Sequence, residues 1–330
     1  MKTYLGVDGG GSKTDFLLID ESGLVLARHG AGPAYYLETG LDGLRSLLAG
    51  GIAATLAQGA VTPESLGYAF FGLPAYGEDS TLLRVLDAAP SPALPRERYR
   101  CGNDMMCGWA GALAGCDGIN VVAGTGSIAY GEYAQRTARG GGWGELFSDE
   151  GSAYWLARAG LALFSRMSDG RAPQGPLYEL LRQAFRLHDD LDICAAVYGP
   201  PPLTRSGVAA LAPLVAQAAR SGDARARELF EAAAQELAAM VHGVHDRLGV
   251  PAGHALPVSY SGGMFHFADL LLQPFYSALQ GSGRIYEITT PRLSPAAGAA
   301  LYAARLAGAP LTAAAIDKLS RQLRSGSGER

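Results

Sequence analysis

The chain has 330 residues, with 27 Lys and Arg against 31 Asp and Glu, a formal net charge of −4, and 48% hydrophobic residues. This composition is typical of a globular protein of about two domains, at roughly 150 residues per domain, each able to bury a core without disulfides or metals. The mildly acidic charge and scattered Lys and Arg argue against a nucleic-acid partner, and no apolar run reaches the roughly 18 residues that span a bilayer. Because the first residues also lack a signal-peptide pattern, we expect a cytoplasmic protein.

The cysteines are spaced to match neither a CxxC pair nor a zinc pattern. In a reducing compartment we predict that all of them are reduced thiols in the core. They are Cys101, Cys107, Cys116 and Cys194.

Glycine is the outlier of the composition, at 45 residues, about twice the usual share of roughly 7%. Much of it is clustered beside apolar segments that read as strands, in residues 9–11, 124–126, 140–142 and 262–263. Clustered glycine next to a strand indicates either a tight turn or backbone that approaches a ligand closely.

The first part of the chain has an α/β pattern that opens with an antiparallel meander. Short apolar or alternating runs predict strands, and apolar residues at helical spacing predict helices. The predicted strands are residues 4–7, 14–19, 24–27, 68–71 and 98–102, and the predicted helices are residues 41–56 and 104–114. Asp104 therefore lies where a strand gives way to a helix, the side of an α/β sheet on which ligands bind.

A second strand, glycine turn and strand begins at residue 120, and its turn lies 115 positions after the first one. An internal duplication would produce this repeat, and so would a chance similarity of two glycine-rich hairpins; both remain open. The predicted strands of this part are 120–123, 128–133 and 257–260, and the predicted helices are 150–164, 177–185, 208–220, 224–248 and 294–307. Residues 325–330 are predicted to be a frayed polar tail.

Neither glycine turn fits a nucleotide fingerprint in its context. A Walker P-loop needs Lys directly after its second Gly, but Ser12 separates Gly11 from Lys13, and a strand follows. Residues 124–129 fit the pattern GxGxxA, yet strand residues follow them where a pyrophosphate would need a helix N-terminus. What remains is a pair of hairpin turns whose amides and hydroxyls can bind phosphates, with Asp8 as a carboxylate for hydrated Mg²⁺.

Six motifs stand in a fixed order along the chain. They are GVDGGGSKTDFLLID (6–20), GNDMMCGWAG (102–111), VVAGTGSIAYG (121–131), GGGWGELFSDEGSAYWLAR (140–158), SYSGGMF (259–265) and SPAAGAALYAARLAG (294–308). Together they resemble the N-acetylglucosamine kinase branch of the BadF/BadG/BcrA/BcrD ATPase family, from Tyr4 to about Gly308. That family belongs to the actin, hexokinase and heat-shock chaperone ATPase superfamily.

The resemblance implies an α/β fold of two ribonuclease-H-like domains, as in actin-like ATPases, with a cleft between them that closes on ATP and a sugar. The expected domains are residues 1–117, joined by the last helix 294–308, and residues 118–293. Residues 309–330 are expected to form a C-terminal tail.

The resemblance also implies roles for individual residues. Asp104 is the expected catalytic base and touches the sugar, and Asp8 is the expected Mg²⁺-proximal acid, acting through water. The other expected nucleotide-binding residues are Gly10, Gly11, Ser12, Lys13, Thr125, Gly126, Gly262 and Gly263. The other expected sugar-binding residues are Ser127, Gly142, Trp143, Gly144 and Asp149.

Each of these roles has a structural counterpart that involves no ligand. Asp104 and Asp149 are residue types that often cap the helix that follows them. Trp143 can be a structural side chain in a glycine turn. Gly262 and Gly263 can be a plain turn rather than a loop on which an adenosine lies.

The expected activity is transfer of the γ-phosphate of ATP, with Mg²⁺, to the 6-hydroxyl of N-acetylglucosamine. Two sugar-side Asn residues of the mammalian pattern are replaced by Ala34 and Ile128, so glucosamine or another amino sugar is an alternative substrate. Two different classes of protein also stay open: an ATPase that activates a radical dehydratase or reductase through an iron–sulfur cluster, and a non-catalytic sugar sensor. Whether the chain forms a homodimer is left open.

Overall fold

The computed structural model describes residues 1–325. The chain divides into two compact units. Unit 1 is Met1–Asp117 together with the segment that begins at Thr290, and unit 2 is Gly118–Thr289. Within the described part of the chain, no helix has the length and apolar character needed to cross a membrane.

Unit 1 is a five-stranded sheet with helices, and its strand order is β3-β2-β1-β4-β5. Its strands are β1 (Thr3–Gly9), β2 (Thr14–Asp20), β3 (Val25–Ala31), β4 (Tyr68–Leu73) and β5 (Tyr99–Asn103). Its helices are α1 (Tyr36–Gln58), α2 (Leu83–Asp87), α3 (Met105–Ala112), α11 (Pro295–Leu306) and α12 (Ala313–Ser325). The first three strands form the predicted antiparallel meander, and β4 and β5 run parallel to β1.

Helix α11 packs on β1 and α3 through positions that have no room for a side chain. A Cβ at Gly6 of β1 would overlap the α11 backbone at Ala296 and Ala300, and one at Gly298 would overlap the α3 backbone. Glycine therefore lets α11 lie directly against the strand and the helix. This packing fixes the carboxyl end of β1 and the start of α3, where Asp8 and Asp104 lie.

Unit 2 contains the second five-stranded sheet, in the order β10-β9-β6-β7-β8. Its strands are β6 (Gly118–Ala123), β7 (Ser127–Tyr133), β8 (Arg136–Gly141), β9 (Leu256–Ser261) and β10 (Tyr286–Thr289). Its helices are α4 (Ala153–Ser168), α5 (Pro176–Phe185), α6 (Asp192–Tyr198), α7 (Arg205–Ala209), α8 (Ala212–Arg220), α9 (Ala224–Leu248) and α10 (Ala268–Gln280). Helix α9 covers β6, β7 and β8 and supplies much of the buried core.

The two sheets have the same arrangement. In each one an antiparallel meander of three strands comes first, and two further strands join in parallel beside its first strand. The expected α/β fold with two ribonuclease-H-like units is confirmed, and the shared topology favours duplication over a chance similarity of hairpins.

Several predicted elements differ from the structure. The predicted helix 208–220 is interrupted: α7 ends at Ala209 and α8 begins at Ala212. Residues 140–141, which read as part of a glycine turn, end β8. Helix α12 occupies most of the segment expected to be a C-terminal tail. The predicted fraying of residues 326–330 lies outside the described residues.

The prediction for the cysteines is half wrong. All four are free thiols, but only Cys101 and Cys107 are buried in the core, whereas Cys116 and Cys194 are exposed. Cys116 follows α3 in a loop and Cys194 lies in α6, a helix with no buried residue. Apolar character alone therefore did not determine where these thiols lie.

Candidate active site

The first glycine turn connects β1 to β2 and is fixed by two hydrogen bonds. The Gly10 N–H donates to the Lys13 carbonyl (2.9 Å), and the Gly10 carbonyl accepts from the Ala34 N–H (3.0 Å). Gly11 and Ser12 at the tip are exposed, and their amides donate to no acceptor among residues 1–325. Exposed amides on a rigid turn are suited to an anion such as a phosphate.

Asp8 lies near the end of β1, paired with Asp15 of β2 and Gly72 of β4. Burial and the nearby carboxylates of Asp104 and Asp15 raise the pKa of Asp8 to about 8, although the Lys13 ammonium opposes this rise. Like charges held close together favour a bound proton or a bound cation. The end of β1 is thus an acidic cluster that a cation would stabilise.

Asp104 immediately precedes α3, and its carboxyl makes no capping hydrogen bond with that helix. The neighbouring Asn103 does this instead, because its Oδ1 accepts from the Met105 N–H (3.1 Å). A capping role for Asp104 is therefore wrong. The carboxyl is partly exposed and close enough to Asp8 to influence its pKa.

A glycine and a cysteine bring these two carboxyls together. A Cβ at Gly72 would overlap the Cys107 Sγ and lie 3.0 Å from the Asp104 Cα, so only glycine lets α3 start this close to β4. Burial, followed by the Asp8 and Asp104 charges, raises the pKa of the Cys107 thiol well above its usual range. Cys107 is therefore a protonated packing residue and not a nucleophile.

Lys13 extends from the first turn but is already paired. Its Nζ lies 2.7 Å from Asp15 Oδ2, and 72% of its side chain is exposed. An exposed pair of this kind contributes little to stability. The ammonium can therefore move to a phosphate at small cost.

The second glycine turn connects β6 to β7 and is attached to the start of α4. The Gly124 N–H donates to the Gly126 carbonyl (2.8 Å), while the Gly124 and Thr125 carbonyls accept from the Ala153 and Tyr154 amides (2.8 and 3.3 Å). The Thr125 and Gly126 amides donate to no acceptor within the part of the chain that the structure describes. This turn resembles the first in presenting amides from a rigid backbone.

Asp149 lies beneath the second turn and is 2% exposed. Its Oδ1 accepts from the Ser127 N–H (3.4 Å), and its Oδ2 forms an ion pair with Arg205 Nη2. It adopts a left-handed φ of +59°, a strained conformation for a residue with a side chain. Ser152 caps α4, so a capping role for Asp149 is wrong.

Ser127 has an internal role in this structure. The residue is 3% exposed, and its hydroxyl donates to the Glu150 carbonyl (2.6 Å). Its amide and hydroxyl together fix residues 149–150 against the turn.

The late glycine pair lies beside the second turn. Strands β6 and β9 are parallel neighbours, and a Cβ at Gly262, just after β9, would overlap the Ala123 carbonyl at the end of β6. Gly262 also has a φ of +102°, which strongly favours glycine. A Cβ at Gly263 would meet nothing within 4 Å, so its backbone face is open to a flat ring.

The segment after β8 carries the large exposed apolar side chains of this region. Trp143 is 67% exposed, Leu146 is 84% exposed and Phe147 is 72% exposed. The Arg139 guanidinium lies 5.3 Å from the Trp143 ring centroid. Several exposed apolar side chains in one short segment are typical of a binding surface, and an indole face suits the apolar face of a ring-shaped ligand.

The two positions that depart from the mammalian pattern both contact motif glycines. Ala34 is fully buried, and a Cβ at Gly9 would lie 3.0 Å from the Ala34 Cβ. A Cβ at Gly142, whose φ is +70°, would lie 2.7 Å from the Ile128 Cδ1. Neither position therefore has a side-chain amide to offer beside these glycines.

The acidic cluster of unit 1 fits the way in which proteins bind Mg²⁺. Among residues 1–325 no group of three or more His, Cys, Asp or Glu side chains is arranged to hold a metal alone. Mg²⁺ keeps several waters and is usually bound by one or two carboxylates together with substrate phosphates. Asp8 and Asp104, whose charges disfavour each other, are suited to that role.

The structure thus groups the expected residues into separate clusters. Unit 1 brings Asp8 and Asp104 together near the first turn. Unit 2 brings the second turn, Asp149 and Gly262 together, whereas Trp143 projects from an exposed segment. Sequence reasoning missed Arg205, because nothing in the local sequence links residue 205 to Asp149, 56 positions earlier.

Comparisons with known proteins extend over nearly the whole chain. A model of the BadF/BadG/BcrA/BcrD ATPase family matches residues 5–303. An N-acetyl-D-glucosamine kinase from Dictyostelium discoideum is 25% identical over 309 residues, which cover 91% of this chain and 97% of that protein. An N-acetylmuramic acid/N-acetylglucosamine kinase from Clostridium acetobutylicum is 27% identical over 313 residues, covering 92% and 98%. A crystal structure from Chromobacterium violaceum, provisionally named as an N-acetylglucosamine kinase, has a TM-score of 0.68 at 25% identity and covers 91% and 98%.

Proposed function

The chain belongs to the BadF/BadG/BcrA/BcrD ATPase family, and on that premise we propose that it is an ATP-dependent sugar kinase acting on the 6-hydroxyl of N-acetylglucosamine. The observation that carries the proposal is the placement of Asp104. Its carboxyl stands at the carboxyl end of a parallel strand, near Asp8, and is not used to cap α3. This is the placement expected of a catalytic base in an α/β phosphotransferase.

In this proposal Asp104 accepts the proton of the sugar 6-hydroxyl. The hydroxyl oxygen forms a bond to the γ-phosphorus of ATP as the bond from that phosphorus to the β,γ-bridging oxygen breaks, and ADP leaves. Because phosphoryl transfer needs little covalent help from the protein, most of the catalysis comes from positioning and charge stabilisation.

We assign nucleotide binding to two sets of residues. In unit 1 these are Gly10, Gly11, Ser12 and Lys13, where the turn presents amides, a hydroxyl and an exposed ammonium. In unit 2 they are Thr125 and Gly126 for phosphate and Gly262 and Gly263 for adenosine. Asp8 would hold Mg²⁺ through water, and the metal when bound would offset charge on the phosphates.

We assign sugar binding to the segment that contains Gly142, Trp143, Gly144 and Asp149, with Ser127 supporting Asp149. Ala34 and Ile128 stand where the mammalian pattern has two sugar-side Asn residues, so two polar partners are missing. We therefore expect weaker discrimination against related amino sugars than in an enzyme that has both amides, because missing partners relax specificity.

A coupled assay of ADP release tests the activity. The panel contains N-acetylglucosamine, N-acetylmuramic acid, glucosamine, N-acetylgalactosamine and glucose, with ATP and Mg²⁺ in every reaction. We expect N-acetylglucosamine to raise ADP release well above the basal rate and to yield a sugar 6-phosphate by mass spectrometry and NMR.

Two different results would contradict the proposal. If no sugar raises ADP release and an anaerobic preparation shows iron–sulfur absorption, the protein is an activator ATPase. If sugar binds by calorimetry but ATP is never consumed, it is a sugar sensor.

A further inference from the structure

Arg205 is a charged residue of unit 2 with no role in the proposed reaction so far. It is the first residue of α7, and Thr204 caps that helix by accepting the Gly207 N–H (3.1 Å). The cap fixes the backbone from which the guanidinium extends. The side chain is 37% exposed, so it has one face on the protein and one toward solvent.

The guanidinium lies directly on the second glycine turn. A Cβ at Gly126 would overlap Arg205 Nη2 and would lie 2.9 and 3.0 Å from the two Asp149 carboxyl oxygens. Only glycine leaves room for this arrangement. The absent side chain at Gly126 therefore places a cation beside the amides of Thr125 and Gly126.

The local charges explain why a cation is needed there. Asp149 is 2% exposed and lies beneath the turn to which we assign a nucleotide phosphate. An uncompensated carboxylate in that position would repel a phosphate strongly, since buried charges are poorly screened. Arg205 Nη2 pairs with Asp149 and removes that repulsion.

Arg205 has donors left after this pairing. A guanidinium has five N–H donors, and the Asp149 pair occupies Nη2. Arg205 Nε is buried and has no hydrogen-bond partner among residues 1–325, although Glu145 Oε2 lies 3.3 Å away as a charge partner. Nη1 donates to no acceptor in the part of the chain that the structure describes, and its N–H groups suit a phosphate oxygen, because a guanidinium binds phosphates as well as carboxylates.

We infer that Arg205 binds a phosphate of the nucleotide, together with the Thr125 and Gly126 amides, while Asp149 holds its guanidinium in place. The inference rests on the proposed function only in taking a nucleotide as the ligand of this turn. It adds a phosphate-binding residue and gives Asp149 a second role, as the support of that residue.

Calorimetric affinities for adenosine, ADP and a non-hydrolysable ATP analogue test the inference in wild type, Arg205→Gln, Arg205→Lys and the control Arg158→Gln. Arg158 is an exposed arginine of α4, in the same unit. We expect Arg205→Gln to weaken the binding of ADP and of the ATP analogue by roughly 10- to 100-fold, because a charge-assisted bidentate contact is lost. The affinity for adenosine should change by less than about two-fold. Arg205→Lys keeps the charge without the fork and should give an intermediate loss.

Three results would overturn the inference. The first is an ADP affinity in Arg205→Gln equal to that in Arg158→Gln. The second is a parallel loss of affinity for adenosine and ADP, which would indicate a structural role for Arg205. The third is a loss of sugar affinity alone. If circular dichroism shows that Arg205→Gln does not fold, the same comparison is made with Arg205→Lys. If the wild type binds ADP but phosphorylates no sugar, the proposed function is contradicted. The ADP affinities of the wild type and the Arg205 variants still test the role of Arg205 in that case.

Discussion

The two glycine turns share a backbone design and differ in charge. Both join the first two strands of a five-stranded sheet, and both present amides that donate to no acceptor in residues 1–325. Beside the first turn lie the carboxyls of Asp8, Asp15 and Asp104, and burial together with the charges of Asp104 and Asp15 raises the pKa of Asp8 to about 8. Beside the second turn the Asp149 carboxylate is paired with Arg205.

This difference indicates that the two related turns are suited to different functions. An acidic cluster favours a cation and can accept a proton, whereas a guanidinium held on a glycine favours an anion. Both turns present amides suited to phosphate, but the surroundings of the first turn are also suited to metal and base chemistry, whereas the second turn has a guanidinium beside its amides. The predictions below test that difference.

The largest effect is expected from Asp104→Asn in unit 1. Asn keeps the size of Asp but cannot accept the hydroxyl proton, and loss of a general base typically lowers kcat by roughly 10²- to 10⁴-fold. Sugar-dependent ADP release measures the change, and circular dichroism confirms the fold. Asp42→Asn, at an exposed position in α1, is the matched control. A folded Asp104→Asn enzyme with the wild-type rate would show that the base is elsewhere.

A smaller effect is expected from adding a methyl group to each turn. Gly126→Ala places a Cβ where Arg205 Nη2 lies, so it should displace the guanidinium and weaken ADP binding by roughly 10-fold or more. Gly11→Ala places its Cβ in open space, so its loss of ADP affinity should be several-fold smaller. Calorimetry with ADP measures both. Equal losses of ADP affinity in the two variants would mean that displacing Arg205 has no effect of its own on ADP binding.

Trp143→Ala tests the sugar side of unit 2. Removing the indole face should weaken N-acetylglucosamine binding by roughly 5- to 20-fold, a typical cost for a stacked aromatic contact, and should leave ADP affinity unchanged. Trp143→Phe should recover part of the loss. Leu191→Ala removes an exposed apolar side chain in another part of the unit and serves as the control. Loss of ADP affinity in Trp143→Ala would assign this segment to the nucleotide.

The smallest effect concerns the stability of unit 1. The pKa of Asp8 is raised from 3.8 to about 8, so the unfolded chain loses this proton first as pH rises, and the folded state loses stability between those values. Asp8→Asn removes that loss. Its Tm should equal that of the wild type near pH 4 and exceed it by roughly 3–6 °C at pH 9.

Scanning calorimetry without Mg²⁺ or nucleotide measures this difference. Asp42→Asn, measured at the same pH values, is the control for replacing a carboxylate by an amide at an exposed position. An Asp8→Asn protein that becomes less stable than the wild type as pH rises would show that Asp8 is not held among like charges.

Local patterns were enough to predict the framework of the fold. Short apolar or alternating runs around a glycine turn predicted β1, β2, β6 and β7, and helical spacing predicted α9 with the bounds that the structure shows. Helix α10 was missed because Pro274 lies inside it, and a proline normally argues against a helix interior. Strands β8 and β10 were missed because a glycine-rich segment and a four-residue strand carry little periodicity.

The positions of candidate site residues were predictable where they follow from neighbouring residues in the sequence. Asp8 and Asp104 were recognisable from their strand ends, but the sequence could not tell whether Asp104 or Asn103 caps α3. The pairing of Asp149 with Arg205 depends on tertiary structure across 56 positions, so no local pattern indicates it. The buried position of Ser127 likewise depends on how residues 149–150 fold back on the turn.

The glycine-lined packing of α11 has a consequence for how the chain is made. Unit 1 contains the first 117 residues, but the helix that covers β1 begins only at Pro295, after the whole of unit 2 has been synthesised. On the ribosome, unit 2 is contiguous and can fold as it emerges, whereas the β1 surface around Gly6 stays uncovered until residues 295–306 have been synthesised. The N-terminal segment is thus the part of the nascent chain most exposed to chaperones and to misassociation, and truncation before α11 would leave it without a partner.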